Sequence, residues 1–175
     1  IKLKDDDKLI WTKPTSGSDT VQLVTAGGQA IHFNESDVRD MGRGAAGVFG
    51  IKLKRSDRVV GMGVVKDGKV KGYQVLSVMA NGYGKRTDLA DYKIQGRGGS
   101  GIKTAKITTK TGGLTNAFVV STEKMQDRDL VIISAKGQVI RLPYKTVSES
   151  GRDTQGVRLM RFKEADDEVA AVTWI

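Results

Sequence analysis

The 175-residue chain has no cysteine and a single histidine. The first absence excludes a disulfide scaffold, a thiol nucleophile and thiolate-bound metal. The second excludes a metal site built from several histidines, and His32, between Ile31 and Phe33, reads as an ordinary strand residue. No apolar run approaches the roughly 18 residues of a membrane helix, and no secretory-signal pattern is present. Aromatic residues make up only 6% of the chain, which favours backbone contact over base stacking for any nucleic-acid partner. Sustained helical periodicity is missing, and so are a G-x-S-x-G elbow, an H-E-x-x-H pair and a P-loop. No catalytic residue and no metal site are therefore assigned.

What the chain does have is an internal repeat. Gly42-Arg43, Gly96-Arg97 and Gly151-Arg152 follow one another at offsets of 54 and 55 residues. Each pair leads, five residues after its Gly, to another glycine: Gly47, Gly101 and Gly156. Each is preceded in the same register by a turn glycine: Gly28, Gly82 and Gly137. Apolar positions keep step as well: Val38, Tyr92 and Val147; Val48, Ile102 and Val157; Leu53, Ile107 and Phe162. Such periodicity is the mark of a repeat architecture, in which each unit buries its apolar face against the next. Ile1-Lys2-Leu3-Lys4 is identical to Ile51-Lys52-Leu53-Lys54, so residues 1–13 read as the tail of a further copy and the chain as a piece of a longer protein.

Each copy divides into four short strands, an all-β pattern rich in Val, Ile and Thr. They are expected at Val21–Thr25, Gln29–Phe33, Val48–Lys54 and Val59–Val65 in the first copy. The second copy gives Gln74–Ala80, Gly84–Thr87, Ile102–Thr108 and Leu114–Val120. The third gives Leu130–Ser134, Val139–Leu142, Val157–Phe162 and Val169–Thr173. Gly27-Gly28, Asn81-Gly82 and Lys136-Gly137 supply the positive φ of tight hairpins. Four strands per repeat suggest propeller-like blades at 20–66, 73–120 and 129–175, with 1–19 closing a preceding blade. Trp11 and Trp174 are expected to pack the blades.

The formal charge is +9 and unevenly spread: +4 over residues 1–80, +5 over 81–120 and zero over 121–175. A concentrated basic block points to a polyanion. Gly42–Gly47 and Gly96–Gly101 fit G-x-G-x-x-G, but β-branched strands follow them where a dinucleotide site needs a helix. The glycines read instead as crossovers, with an Arg recurring beside them that crossovers do not require. The basic set expected to follow a phosphate backbone is Arg43, Lys52, Lys54, Lys85, Arg86, Arg97, Lys103, Lys106, Arg141, Arg152 and Arg158. The acidic clusters Asp5-Asp6-Asp7 and Asp166-Asp167-Glu168 read as solvated turns.

Four segments carry a resemblance. Phe33-Asn-Glu-Ser-Asp-Val-Arg-Asp-Met-Gly-Arg43, Asn81-Gly-Tyr-Gly-Lys-Arg-Thr87, Gln95-Gly-Arg-Gly-Gly-Ser-Gly101 and Gly151-Arg-Asp-Thr-Gln-Gly-Val-Arg158 resemble the C-terminal domain family of DNA gyrase A subunits. The resemblance spans essentially the whole chain. It implies a six-bladed β-pinwheel that wraps double-stranded DNA around its rim, of which this chain would be the last three blades. It implies support of ATP-dependent negative supercoiling by a cytoplasmic, bacterial-type type IIA topoisomerase. The partners it implies are a gyrase A dimer and the gyrase B subunit, with no membrane. ATP and Mg would be held elsewhere in that enzyme, leaving this chain without a cofactor. The family's box, Gln-Arg-Arg-Gly-Gly-Lys-Gly, belongs to a blade not seen here; Gln95–Gly101 is a relative with Gly96 and Ser100 at two basic positions. The family's catalytic Tyr follows an Arg, whereas Tyr73, Tyr83, Tyr92 and Tyr144 follow Gly, Gly, Asp and Pro. Two alternatives remain open: the related C-terminal domain of the topoisomerase IV A subunit, and a basic propeller-like scaffold for protein partners.

Overall fold

The structure is a computed structural model that describes residues 1–4 and 7–175. Its strands are β1 Thr20–Thr25, β2 Gln29–Asn34, β3 Val59–Val65, β4 Tyr73–Met79, β5 Tyr83–Asp88, β6 Ile102–Lys103, β7 Leu114–Ser121, β8 Asp129–Ser134, β9 Val139–Pro143, β10 Val157–Arg158 and β11 Val169–Trp174. Short 3-10 turns follow several strands, and one four-residue helix spans Thr122–Met125. The strands form three antiparallel sheets.

Each sheet is organised around a hairpin: β1–β2, β4–β5 and β8–β9. The hairpins turn at Gly28, Gly82 and Gly137, whose φ values of +79°, +78° and +84° are open to glycine and strained for other residues. The fourth expected strand of each copy flanks the first strand of its own hairpin, as β3, β7 and β11.

The third expected strand behaves differently from the sequence reading. It is shorter, and it leaves its own copy. β6 pairs with β2 through Gln29↔Lys103 and Ala30↔Ile102, and β10 pairs with β5 through Val157↔Gly84 and Arg158↔Tyr83. The orders are therefore β3-β1-β2-β6, β10-β5-β4-β7 and β11-β8-β9. Two sheets have four strands and the third has three. Residues 48–54 form no strand. The reason is geometric: the connection after each hairpin crosses to the neighbouring sheet and meets its free edge for only two residues.

The main cores lie between the sheets. Val24, Val65, Val75, Met79 and Leu114 close the gap between the first and second. Leu76, Val120, Leu130, Ile132 and Val169 close the gap between the second and third. Gly61 and Gly63 of β3 lie against Ala117 and Val119 of β7, where a Cβ would collide. Glycine thus sets the close approach of the first two sheets. Trp174 of β11 meets Phe118 of β7 edge-to-face, with centroids 5.0 Å apart at 87°, so this tryptophan does pack one sheet on another.

Candidate nucleic-acid interface

The two junctions between copies are built from the same bonds. At the first, the Arg97 guanidinium donates to the Phe49 carbonyl at 2.5 Å and to the Asp37 carbonyl at 3.1 Å. At the second, Arg152 donates to the Lys103 carbonyl at 3.1 Å. Phe49 and Lys103 are repeat-equivalent, 54 residues apart. The recurring arginine is thus a staple that fixes each Gly-Arg loop to the backbone of the copy before it. That explains its recurrence, which crossover geometry alone left without a reason. Arg43, in the first copy, is exposed and makes no side-chain hydrogen bond among the described residues.

A reciprocal bond runs the other way. The amide of Lys52 donates to the Gly99 carbonyl at 2.8 Å, and that of Lys106 to the Thr154 carbonyl at 3.0 Å. The amide of Lys2 donates to the Ala45 carbonyl at 3.0 Å, which is the same bond one repeat earlier. The side chains of Lys52, Lys54 and Lys106 are exposed.

The loop glycines sort into two kinds. Gly101 and Gly156 have φ of +70° and +71°, and a Cβ on either would fall on the carbonyl oxygen of Ala30 or Gly84. These two are demanded by the fold. Gly42, Gly96 and Gly151 have no φ in the left-handed region, and nothing lies within 4 Å of where a Cβ would stand, so the fold makes no such demand of them.

Lys85 departs from the expectation of an exposed rim residue. It is fully buried, and its ammonium donates to the carbonyls of Gly151 at 2.6 Å and Arg152 at 2.5 Å and to Thr154 Oγ1 at 3.0 Å. Burial pushes its pKa down to about 8, against an opposing pull from the Asp153 carboxylate. All three of its donors are thereby used, and it holds the third Gly-Arg loop onto the second sheet. Arg86 is likewise turned inward: Nε donates to the Val147 carbonyl at 2.7 Å, and the guanidinium lies 4.9 Å from the Tyr144 ring centroid.

The other expected residues stay at the surface with partial partners. Lys103 pairs with Asp153 at 3.4 Å, and Arg141 with Asp129 at 2.6 Å. Arg158 donates to the Tyr83 hydroxyl from Nε at 3.2 Å and Nη2 at 2.7 Å, with its carbon 5.0 Å from the ring centroid. The Tyr83 hydroxyl is held below its usual pKa, first by this Arg158 hydrogen bond. Of the acidic clusters, Asp5 and Asp6 lie outside the described residues. Asp167 is buried and accepts from the amides of Lys136 at 3.0 Å and Glu168 at 2.9 Å. Burial raises its pKa, but hydrogen bonds from Ser134, Lys136 and Glu168 outweigh it and hold the carboxyl below the usual range. It caps the third hairpin turn, where sequence reading expects a solvated cluster. Among the described residues no group of three His, Asp or Glu side chains could hold a metal ion, and no helix is long and apolar enough to cross a membrane.

Sheets arrayed one behind another and cross-linked through repeated loops define a protein of the β-propeller class. The chain belongs to the family described as DNA gyrase C-terminal domain, beta-propeller, which it matches over residues 19–66, 80–121 and 128–173. It is 43% identical over 161 residues to the DNA gyrase A subunit of Staphylococcus epidermidis, covering 92% of this chain and 17% of that protein. It is 42% identical over 168 residues to the DNA gyrase A subunit of Staphylococcus aureus, covering 96% of this chain and 18% of that one. The chain thus spans under a fifth of the length of these relatives. A solved structure of a DNA gyrase A C-terminal domain superposes with a TM-score of 0.78 at 30% identity, covering 98% of this chain and 56% of that one. The C-terminal domain of a DNA topoisomerase IV superposes with a TM-score of 0.79 at 21% identity, covering 91% and 47%, which is a likeness of fold.

Proposed function

We propose that this chain binds and wraps duplex DNA within the A subunit of a gyrase and so supports ATP-dependent negative supercoiling by the whole type IIA topoisomerase. On this reading 20–66, 73–120 and 129–175 are blades of a six-bladed β-pinwheel, and 1–19 is the end of the blade before them. ATP, Mg and the cleaving Tyr belong to other parts of the enzyme. The partners are the gyrase A dimer and the gyrase B subunit, and the setting is the bacterial cytoplasm.

One observation carries the reading. Of 29 basic side chains, only four form ion pairs among the described residues, and in three of the four pairs both partners are substantially exposed. Most of the positive charge therefore has no internal purpose, while its family membership supplies an external one. Arg43, Lys52, Lys54, Lys103, Lys106, Arg141 and Arg158 are surface candidates for phosphate contact; Lys85 and Arg86 are turned inward, and Arg97 and Arg152 are engaged as staples. Contacts to phosphate carry no base information, so binding is expected to tolerate sequence.

The test is duplex binding by this chain across a salt series. Wrapping expects log affinity to fall linearly with log salt, by roughly 0.9 per phosphate neutralised. A protein scaffold expects no such slope, and salt-insensitive binding or none overturns the proposal. In the full enzyme, Lys52→Glu with Lys106→Glu is expected to impair supercoiling more than ATP-independent relaxation.

A further inference from the structure

Only two repeat positions carry Lys or Arg in all three copies: Arg43, Arg97 and Arg152, and Lys52, Lys106 and Arg161. The junctions use two of the first set internally, because Arg97 and Arg152 hold the preceding copy's backbone. The second set has no such use. The Lys52, Lys106 and Arg161 side chains are exposed and enter no hydrogen bond or ion pair among the described residues.

Their placement is nevertheless fixed. The Lys52 and Lys106 amides are tied to equivalent carbonyls of the next Gly-Arg loop, at Gly99 and Thr154. Arg161 is held by its own carbonyl, which accepts from Gln138 Nε2 at 2.7 Å. The backbone at each position is therefore anchored by a hydrogen bond while the charged end is free. A polyanion of regular charge spacing is served by that combination, since a cation already bound to protein has less to offer a phosphate.

We infer that Lys52, Lys106 and Arg161 form the row that contacts the phosphates of a wrapped duplex, one cation per copy, while the Gly-Arg arginines act as positioning residues that hold the loops. The inference rests on the DNA-wrapping reading above. It adds Arg161, which lies in the electrically neutral stretch 121–175 where charge counting finds no reason for DNA contact. The third copy then contributes to binding as much as the other two. The open glycines Gly96 and Gly151 sit in the same loops and leave their backbone approachable.

The experiment compares Lys52→Ala, Lys106→Ala and Arg161→Ala with Arg97→Ala and Arg152→Ala in this chain. Affinity for a mixed-sequence duplex is read across a salt series, and thermal midpoint is read without DNA. Each variant of the row is expected to flatten the log–log salt slope by roughly 0.9 with an unchanged midpoint. The staple variants are expected to lower the midpoint and to flatten the slope less. Row variants with wild-type slopes, in a chain whose wild type binds with a clear salt slope, overturn the row and leave the wrapping reading intact. A wild-type chain with no salt-dependent binding overturns both. Staple variants that flatten the slope fully at an unchanged midpoint reverse the two roles and overturn the inference.

Discussion

His32 and Arg86 make the same pair of bonds one repeat apart. The His32 ring meets the Tyr92 carbonyl through Nδ1 at 3.0 Å and Thr20 Oγ1 through Nε2 at 2.7 Å. Arg86 meets the Val147 carbonyl through Nε at 2.7 Å and Gln74 Oε1 through Nη1 at 3.3 Å. Tyr92 and Val147 are repeat-equivalent, as are Thr20 and Gln74. Each side chain thus ties its own hairpin to the next copy. Arg141, the repeat-equivalent residue of the third copy, keeps the matching partner within its copy, Asp129. One bridge is therefore made by an imidazole, whose pKa burial holds below its ordinary value, and the other by a guanidinium.

The first junction should accordingly weaken in mild acid. Burial holds the His32 pKa below its ordinary 6.5, although the Tyr92 carbonyl opposes the shift. Between that lowered value and 6.5 the unfolded chain binds more protons than the folded one. The stability contributed by His32 is complete above 6.5 and is lost as pH falls. Thermal unfolding at pH 7 and near pH 5 should show a loss in the wild type that His32→Gln largely abolishes. An unchanged loss in the variant counts against this assignment.

Lys85 should act in the alkaline range. Its pKa, pushed down to about 8 from 10.5, means that the unfolded chain binds more protons between those values. Stability from this residue therefore rises as pH goes from 8 toward 10.5. Lys85→Met leaves the Gly151 and Arg152 carbonyls without their donor and should cost about 1–3 kcal/mol at neutral pH. Urea unfolding at pH 7 and pH 10 should show that deficit growing with pH. A constant deficit would mean that the ammonium is not penalised by its burial.

The two kinds of loop glycine should separate cleanly in stability measurements. Gly101→Ala and Gly156→Ala force a methyl into Ala30 or Gly84 at a positive φ, and each should cost about 2–4 kcal/mol. Gly96→Ala and Gly151→Ala meet nothing and should stay within about 0.5 kcal/mol of wild type. Four denaturation curves decide the matter, and equal losses across both pairs would reject the distinction.

The hairpins were legible in the sequence because their turn glycines and β-branched flanks are local signals. Val59–Val65 has the expected boundaries, and the other hairpin and flanking strands differ from expectation by one residue at one end or, for β4 and β5, at both. The exchange of β6 and β10 was not legible, since a two-residue pairing leaves no periodicity to find. At the site, an exposed Lys and a buried Lys have the same letter. Lys85 did carry a usable signal: its repeat-equivalents are Ile31 and Ile140, which places it on an apolar position. Arg161 carried one as well, since its repeat-equivalents Lys52 and Lys106 make the position basic in every copy. The Arg97 and Arg152 staples reach carbonyls 48 and 49 residues away, beyond any local pattern.

Strand exchange also means that sequence boundaries and sheet boundaries never coincide. Cutting within 66–72 separates β6 from the first sheet, and cutting within 104–113 separates β7 from the second. Cutting within 122–128 removes β10 from the edge it shares with Tyr83 and Gly84. Between β3 and β11 no single break in the chain releases one sheet whole and leaves the others whole. The copies are divisible as text and indivisible as objects, so a truncation drawn between repeats always exposes a strand edge, and a protease nick in one linker is felt by its neighbour.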